Sequence, residues 1–369
     1  MTNTRINQAV WLEKYQRWQI KVQVDGIRKT FTSSISGREG QRECHRKADA
    51  WLDSKMINSN TKIRSLLPLW IEMLKDTSSK AHWRQYEGYS RNWIEPVIGN
   101  DKICDLTEQK LQSVINSAYS KGNLARKTLS NIRSALFSFI KYCRRSGYTS
   151  LKPDDLEIPK GAVKGERTIL QPDDIKVLFE SDLELYRQRK ITAWFIHAFR
   201  YAVATGLRPG ELISLKKSCK RPDGKILIRE SINDENETTH GKNENARRIF
   251  KQSKLSERIL IAQEAMLKQE GVVSPYLFPA RDGNHTTQQA LRKAWARYKR
   301  CNHISAATPY ELRHTFISVN KEMPEGLKKM IVGHSQDMDT EGIYSHEMKG
   351  DLEQAAAYID AAFERILKS

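Results

Sequence analysis

The sequence predicts a multidomain, mainly α-helical protein with small β-sheets. It reads as an N-terminal sheet-plus-helix module, a helical bundle and a C-terminal α+β domain. Three observations lead there. The chain has 369 residues, room for two or three domains at roughly 100–200 residues each. Apolar residues recur at helical spacing through most of it, with period-two alternation confined to short runs near residues 18–32 and 225–250. Between 146 and 166 the chain is rich in Gly, Pro, Lys and Asp and loses its periodicity, which marks a boundary. The expected limits are 1–57 and 62–147 for the first two domains, 148–166 for a linker and 167–369 for the last.

Trp18 to Val24 alternates apolar and polar residues as a half-buried strand does, Asp25-Gly26 supplies a hairpin turn, and Arg28 to Thr32 returns as a second strand. A helix from about Glu39 to Lys55 follows, with Ala48, Trp51 and Leu52 on one face. The strand residues Lys21, Arg28 and Lys29 are read as exposed, and a β-ribbon bearing them fits a major groove of DNA. Residues 62–147 then read as four helices. Leu66, Leu67, Leu69, Trp70 and Met73 stripe the first; the second covers Trp83 to Ile94 before Pro96 and Gly99 break it. The third runs from Thr107 to about Tyr119, and the fourth carries Leu129, Ile132, Leu136, Phe139, Ile140 and Cys143 on one face. Arg126, Lys127 and Arg133 fall largely off that stripe, giving the bundle a basic face. In the last domain, Lys225 to Arg229 and Arg247 to Phe250 are a strand pair joined by a polar loop containing Gly241 and Lys242, and Asp351 to Leu367 is an amphipathic helix.

Composition narrows the chemistry. Lys and Arg number 62 against 44 Asp and Glu, a formal +18. The excess is +5 over residues 1–60 and +7 over 61–160, with the rest beyond, so it is spread as on a surface that follows phosphates. Five scattered cysteines without a Cys-x-x-Cys pair argue against a disulfide framework or a thiolate zinc site. No apolar run approaches the ~20 residues of a membrane span, and the N-terminus has no signal core, so a cytoplasmic protein, nucleoid-associated when bound to DNA, is expected. The nine histidines include no His-x-x-x-His pair, and there is no phosphate-cradling Gly-x-x-x-x-Gly-Lys loop. No metal or other cofactor is expected.

Four motifs remain. Gly206-Leu207-Arg208-Pro209-Gly210-Glu211 places Arg208 in a joint between two helices, where Glu211 can orient its guanidinium. Leu312-Arg313-His314-Thr315-Phe316, Gly333-His334-Ser335 and Tyr344-Ser345-His346 follow in that order. Together they resemble the tyrosine recombinase (phage integrase) family, over about residues 165–350. More loosely, residues 62–158 look like its helical core-binding domain, and 1–56 like the arm-binding domain of phage and conjugative-element integrases.

The resemblance implies a site-specific recombinase that cuts and rejoins DNA through a covalent 3′-phosphotyrosine and a Holliday junction. Bond energy stays in the ester, so neither ATP nor metal is required. It makes Tyr344 the nucleophile and has Arg208 and Arg313 hold the non-bridging oxygens while His334 completes the hydrogen bonding. Lys242, in the register Lys-x-x-x-x-Arg-Arg, would be the general acid, with His240 and Lys251 as fallbacks. The family usually has His three residues before the second Arg; here Tyr310 stands there, a donor to phosphate that cannot shuttle protons as imidazole does. His314 is read as a packed structural histidine and His346 as a local hydrogen-bonding residue. The implied partners are double-stranded DNA attachment sites and three further copies in a homotetramer. The C-terminal helix packs on its own domain or docks on the next protomer, and a DNA-bending host factor and an excisionase are further candidates. A non-catalytic DNA-binding regulator and a relaxing type IB topoisomerase stay open as alternatives.

Overall fold

The computed structural model describes residues 7–24, 27–165, 168–239, 247–304, 308–333 and 348–368. The chain divides into two compact units, Met1–Glu166 and Arg167–Ser369. It is mainly helical with small antiparallel sheets.

The first unit begins with a three-stranded sheet, β1 (Val10–Leu12), β2 (Arg17–Val24) and β3 (Ile27–Ser33), in the order β1-β2-β3. The helix α1 (Gly37–Ser59) covers one face, burying Ile20, Val22, Cys44, Ala48 and Leu52. The turn residues Asp25 and Gly26 lie outside the described residues. Pairing settles which strand cations share a face. Lys21 sits opposite Thr30 and Gln23 opposite Arg28, so Lys21 and Arg28 project from the outer face. Lys29 sits opposite the buried Val22, and its ammonium lies over the rings of Phe31 and Trp51 at 5.5 and 5.9 Å. The expected trio is therefore split: Lys29 emerges beside the helix, on the side away from Lys21 and Arg28.

The helices α2 (Ile63–Thr77), α3 (Lys80–Tyr89), α4 (Glu95–Ile98), α5 (Glu108–Gly122) and α6 (Arg126–Arg145) form a second core around Trp70, whose indole meets Phe139 edge-on at 5.4 Å. The second helix does not break at Pro96. Residues Ser90–Ile94 wind as one π turn, and α4 continues with Pro96 in its first turn. Proline cannot donate to a carbonyl four residues back and its ring crowds that carbonyl, so a widened turn accommodates it.

The stretch expected as a linker is packed on this bundle. Leu156 is fully buried in the core and Ala162 nearly so. The carboxylate of Glu108 accepts the Asp155 N–H, and Gln112 pairs with the backbone of Glu157 in both directions. Arg133 donates to the Leu156 carbonyl at 3.2 Å. Its guanidinium thus holds its own chain, whereas Lys127 is exposed and Arg126 half-exposed.

The second unit opens with α7 (Pro172–Glu180) and a hairpin of β4 (Leu183–Tyr186) and β5 (Arg189–Thr192) that the sequence did not announce. Arg187 and Gln188 form its turn with positive φ at both positions, a geometry usually signalled by Asn or Gly. β5 takes up Ile191, and the next helix, α8 (Ile196–Thr205), follows it. Then come α9 (Pro209–Ser214), β6 (Lys225–Ile228), the short pair β7 (Ser231–Ile232) and β8 (Thr238–Thr239), and β9 (Arg248–Lys251), which pairs antiparallel with β6. The helices α10 (Lys254–Gln269), α11 (Gln288–Asn302), α12 (Pro309–Val319), α13 (Glu325–Val332) and α14 (Asp351–Lys368) complete one core with α8 at its centre.

α14 buries Leu352, Ala355, Ala356, Ile359, Ala362 and Phe363 within its own unit. Asp360 on it accepts the N–H groups of Lys254 and Leu255 at the start of α10. In the single chain the tail helix therefore packs on its own domain. Among the described residues no helix is long and apolar enough to cross a membrane.

Candidate active site

Three arginines from three elements meet at the end of α13. Arg208 enters from the joint before α9. α8 stops at Gly206, whose φ of 67° suits glycine, and a Cβ there would lie 2.5 Å from the Phe316 ring. Pro209 then opens α9, which leaves Arg208 at the turn. Arg313 lies on α12 and is only 1% exposed. Arg248 lies on β9 and is also buried.

Each donates to one of three successive carbonyls. Arg248 Nε reaches Ile331 O at 2.6 Å, Arg313 Nη2 reaches Val332 O at 2.7 Å, and Arg208 Nη2 reaches Gly333 O at 3.2 Å. Carbonyls in the last turn of a helix lack intrahelical donors and carry the negative end of its dipole, so cations are favoured there. Arg313 also donates from Nη1 to Gly206 O at 2.8 Å, tying the two motif arginines to one turn.

Among the described residues, Glu211 is the carboxylate that bonds both Arg208 and Arg248. Its Oε1 accepts from Nη1 of Arg208 and Nη1 of Arg248, at 2.8 and 3.0 Å. Its Oε2 accepts from the Arg208 N–H and from Nη2 of Arg248, both at 2.9 Å. Burial by itself would raise the pKa of this carboxyl, but the bonds and charge of Arg248, joined by Arg208, outweigh it and hold it down to about 2. Burial, with the neighbouring charges of Arg208 and Arg248, lowers Arg313 to about 10, so it stays protonated at neutral pH.

Tyr310 occupies the first turn of α12 at 45% exposure, and its ring meets that of His314 edge-on at 5.2 Å. His314 is thus a ring partner of Tyr310 on one helix face. Lys251, a fallback acid, pairs with Lys225 at the end of the strand pair away from the Lys242 loop and donates to the Asp223 carbonyl. That position removes it from the candidates. Lys242, His334 and Tyr344, together with His240 and His346, lie outside the described residues.

The structure therefore brings Arg208, Glu211 and Arg313 together and adds Arg248, which the sequence reading passed over except as part of a register. A signal was present. Ile249 and Phe250 are adjacent, so only one can face inward; Phe250 is buried, and alternation takes Arg248 in with it while Ile249 stays 37% exposed. Chemically, a cluster of three guanidiniums and one carboxylate keeps a net positive charge beside a turn whose Arg208 side chain is 33% exposed. Such a site suits a phosphate or another oxyanion. Among the described residues no group of His, Cys, Asp or Glu could hold a metal ion.

The chain is similar to known proteins in sequence and in fold. Residues 169–350 match the phage integrase family, and residues 62–119 match the phage integrase N-terminal SAM-like domain. The tyrosine recombinase XerD of Rhizobium meliloti (strain 1021) is 27% identical over 262 residues, 68% of this chain and 79% of the relative. Among solved structures, the Tn1549 transposon integrase bound to a circular intermediate DNA superposes with a TM-score of 0.64 at 16% identity, covering 83% of this chain and 100% of its own. The lambda integrase tetramer on a Holliday junction gives 0.61 at 14% identity over 94% of this chain and 99% of its own. These likenesses are of fold.

Proposed function

We propose, from the premise that the chain belongs to the phage integrase family of tyrosine recombinases, that it integrates and excises a phage or other mobile element. It is a tyrosine-type site-specific DNA recombinase. In this proposal the phenolic oxygen of Tyr344 attacks the scissile phosphorus, forming the 3′-phosphotyrosine ester. The bond to the 5′-oxygen breaks, and Lys242 supplies the proton that oxygen takes. Arg208 and Arg313 face the non-bridging oxygens and His334 completes the hydrogen bonding. A free 5′-hydroxyl from the partner site then attacks the ester and regenerates the tyrosine, so exchange needs no outside energy. Two such rounds in a homotetramer on paired attachment sites pass through a Holliday junction.

The observation that carries this reading is the meeting of Arg208 and Arg313, 105 positions apart, on the turn that leads into His334. Oriented donors of this kind are usually the largest catalytic contribution, and loss of one costs about 2.7–4 kcal/mol in the barrier. The outer sheet face with Lys21 and Arg28 is assigned to arm-type sites, and the bundle face with Arg126 and Lys127 to the core site. The lambda match extends over more of the chain than residues beyond 57 could supply, which supports a likeness in the first module too.

A second reading, resolution of chromosome dimers, draws on the likeness to proteins named XerD and XerC. A nicked suicide substrate carrying the ends of the encoding element tests the first. The expected result is a covalent adduct that Tyr344→Phe abolishes. An adduct persisting in that variant refutes the nucleophile, and DNA binding without any adduct favours the regulator. Adducts formed only on a chromosomal site favour dimer resolution.

A further inference from the structure

We propose that Arg248 is a positioning residue for strand cleavage, coupling the strand pair that flanks the Lys242 loop to the Arg208 joint and to the end of α13. The inference rests on the recombinase reading above.

One planar head holds three elements. From β9, the two terminal nitrogens of Arg248 grip both oxygens of Glu211 on α9, and its Nε holds the Ile331 carbonyl at the end of α13. The grip saturates Glu211. A carboxylate offers about four lone-pair sites, and Arg248 and Arg208 supply four donors between them. That carboxylate, held from behind by the buried Arg248, in turn accepts from the N–H and Nη1 of Arg208. The same head fixes the first of the three carbonyls whose successors receive Arg313 and Arg208. Displacing it would shift the turn before His334 and both motif guanidiniums together.

Stability alone is a poor reason for such an arrangement. Apolar side chains of similar volume commonly replace a buried ion pair at no loss, so what the pair supplies here is geometry. Lysine brings a point charge and no fork, so it can neutralise Glu211 without fixing both oxygens and the carbonyl.

The test is single-turnover adduct formation on a nicked suicide substrate at saturating DNA, with Arg248→Lys and Arg248→Met. A misplacement of about 1 Å at a reacting group can cost ~100-fold. The expected order is wild type, then Arg248→Lys about 10-fold slower, then Arg248→Met about 100-fold slower, with DNA affinity within about threefold. The pH profile separates positioning from mere scaffolding. The charged groups facing Glu211 are Arg208 at the entry to its own helix, Arg248 from β9 and, at longer range, Arg313 from α12. With Arg248 gone, the buried carboxyl takes up a proton more readily. The Arg248→Met rate should therefore fall, relative to wild type, as pH drops from about 8 to about 5.

Wild-type rates in both variants overturn the inference. So does a loss of rate matched by an equal loss of DNA affinity with an unaltered pH profile. Should Arg248→Met fail to fold, Arg248→Lys, which keeps the buried charge compensated, decides alone. A wild-type protein that forms no adduct defeats the recombinase reading and this inference with it, whereas an active wild type with unaffected variants defeats the inference only.

Discussion

Glu211 is 3% exposed, and its carboxyl is nevertheless held down to about 2 because Arg248 and Arg208 outweigh the cost of burial. A folded pKa below the ordinary 4.5 means that its stabilising contribution is complete above that value and is lost as pH falls toward about 2. At 1.36 kcal/mol per unit the contribution is on the order of 3 kcal/mol. Acid titration followed by circular dichroism should show Glu211→Gln losing less stability than wild type over that interval. At neutral pH Glu211→Ala should cost about 3–5 kcal/mol in urea unfolding, because Arg248 is left buried without its carboxylate. Gly206→Ala should also destabilise, by at least about 1 kcal/mol, since the residue would hold a left-handed conformation against the Phe316 ring. Tyr310→Phe removes a hydroxyl from an exposed position in the first turn of α12, so the expected outcome is slower cleavage with adduct still detectable. Complete loss would give that phenol a more central part. At this scale the sequence exposed Arg208, Glu211 and Arg313 through their motifs. Arg248 was hidden because a charged residue in a strand reads as solvent-facing until its neighbours' burial is known.

Elements were legible where one face is apolar over several turns. The amphipathic helix expected from Asp351 to Leu367 forms as α14 with six apolar residues buried, and the helical spacing from Leu129 to Cys143 marks the core side of α6. Two kinds of element escaped. The hairpin β4–β5 turns on Arg187 and Gln188, which carry none of the usual turn chemistry, and the π turn at Ser90–Ile94 is an accommodation to Pro96 rather than a pattern of its own. Residues 148–165 have no periodicity because they follow the bundle surface without regular structure, anchored by Leu156 and by side-chain bonds from Glu108, Gln112 and Arg133. Leu156→Ala should therefore lower stability by about 2–5 kcal/mol, the range for a fully buried leucine; a free linker would show no change on thermal unfolding. Asp360→Ala should cost about 0.5–2 kcal/mol, because it removes the acceptor at the start of α10 and with it a tie between α10 and α14.

On the scale of the whole molecule, a formal +18 distributed along the chain predicts binding dominated by phosphate contacts. With six or more contacts, affinity for cognate duplex should fall at least ~1000-fold between about 50 and 200 mM salt. A nearly flat titration would contradict a surface that follows the backbone. The sequence by itself determined the charge, the helical and alternating segments, and the order of motifs that identifies the family, because these are local or additive properties written in residue type and spacing. Only the tertiary structure decided which side of the first sheet Lys29 occupies, that Arg133 holds its own chain, that α14 lies on its own unit, and that Arg208, Arg248 and Arg313 take three successive carbonyls. Those outcomes depend on the pairing of groups far apart in the chain, and hydrogen-bond distance and burial exist only once the backbone has folded.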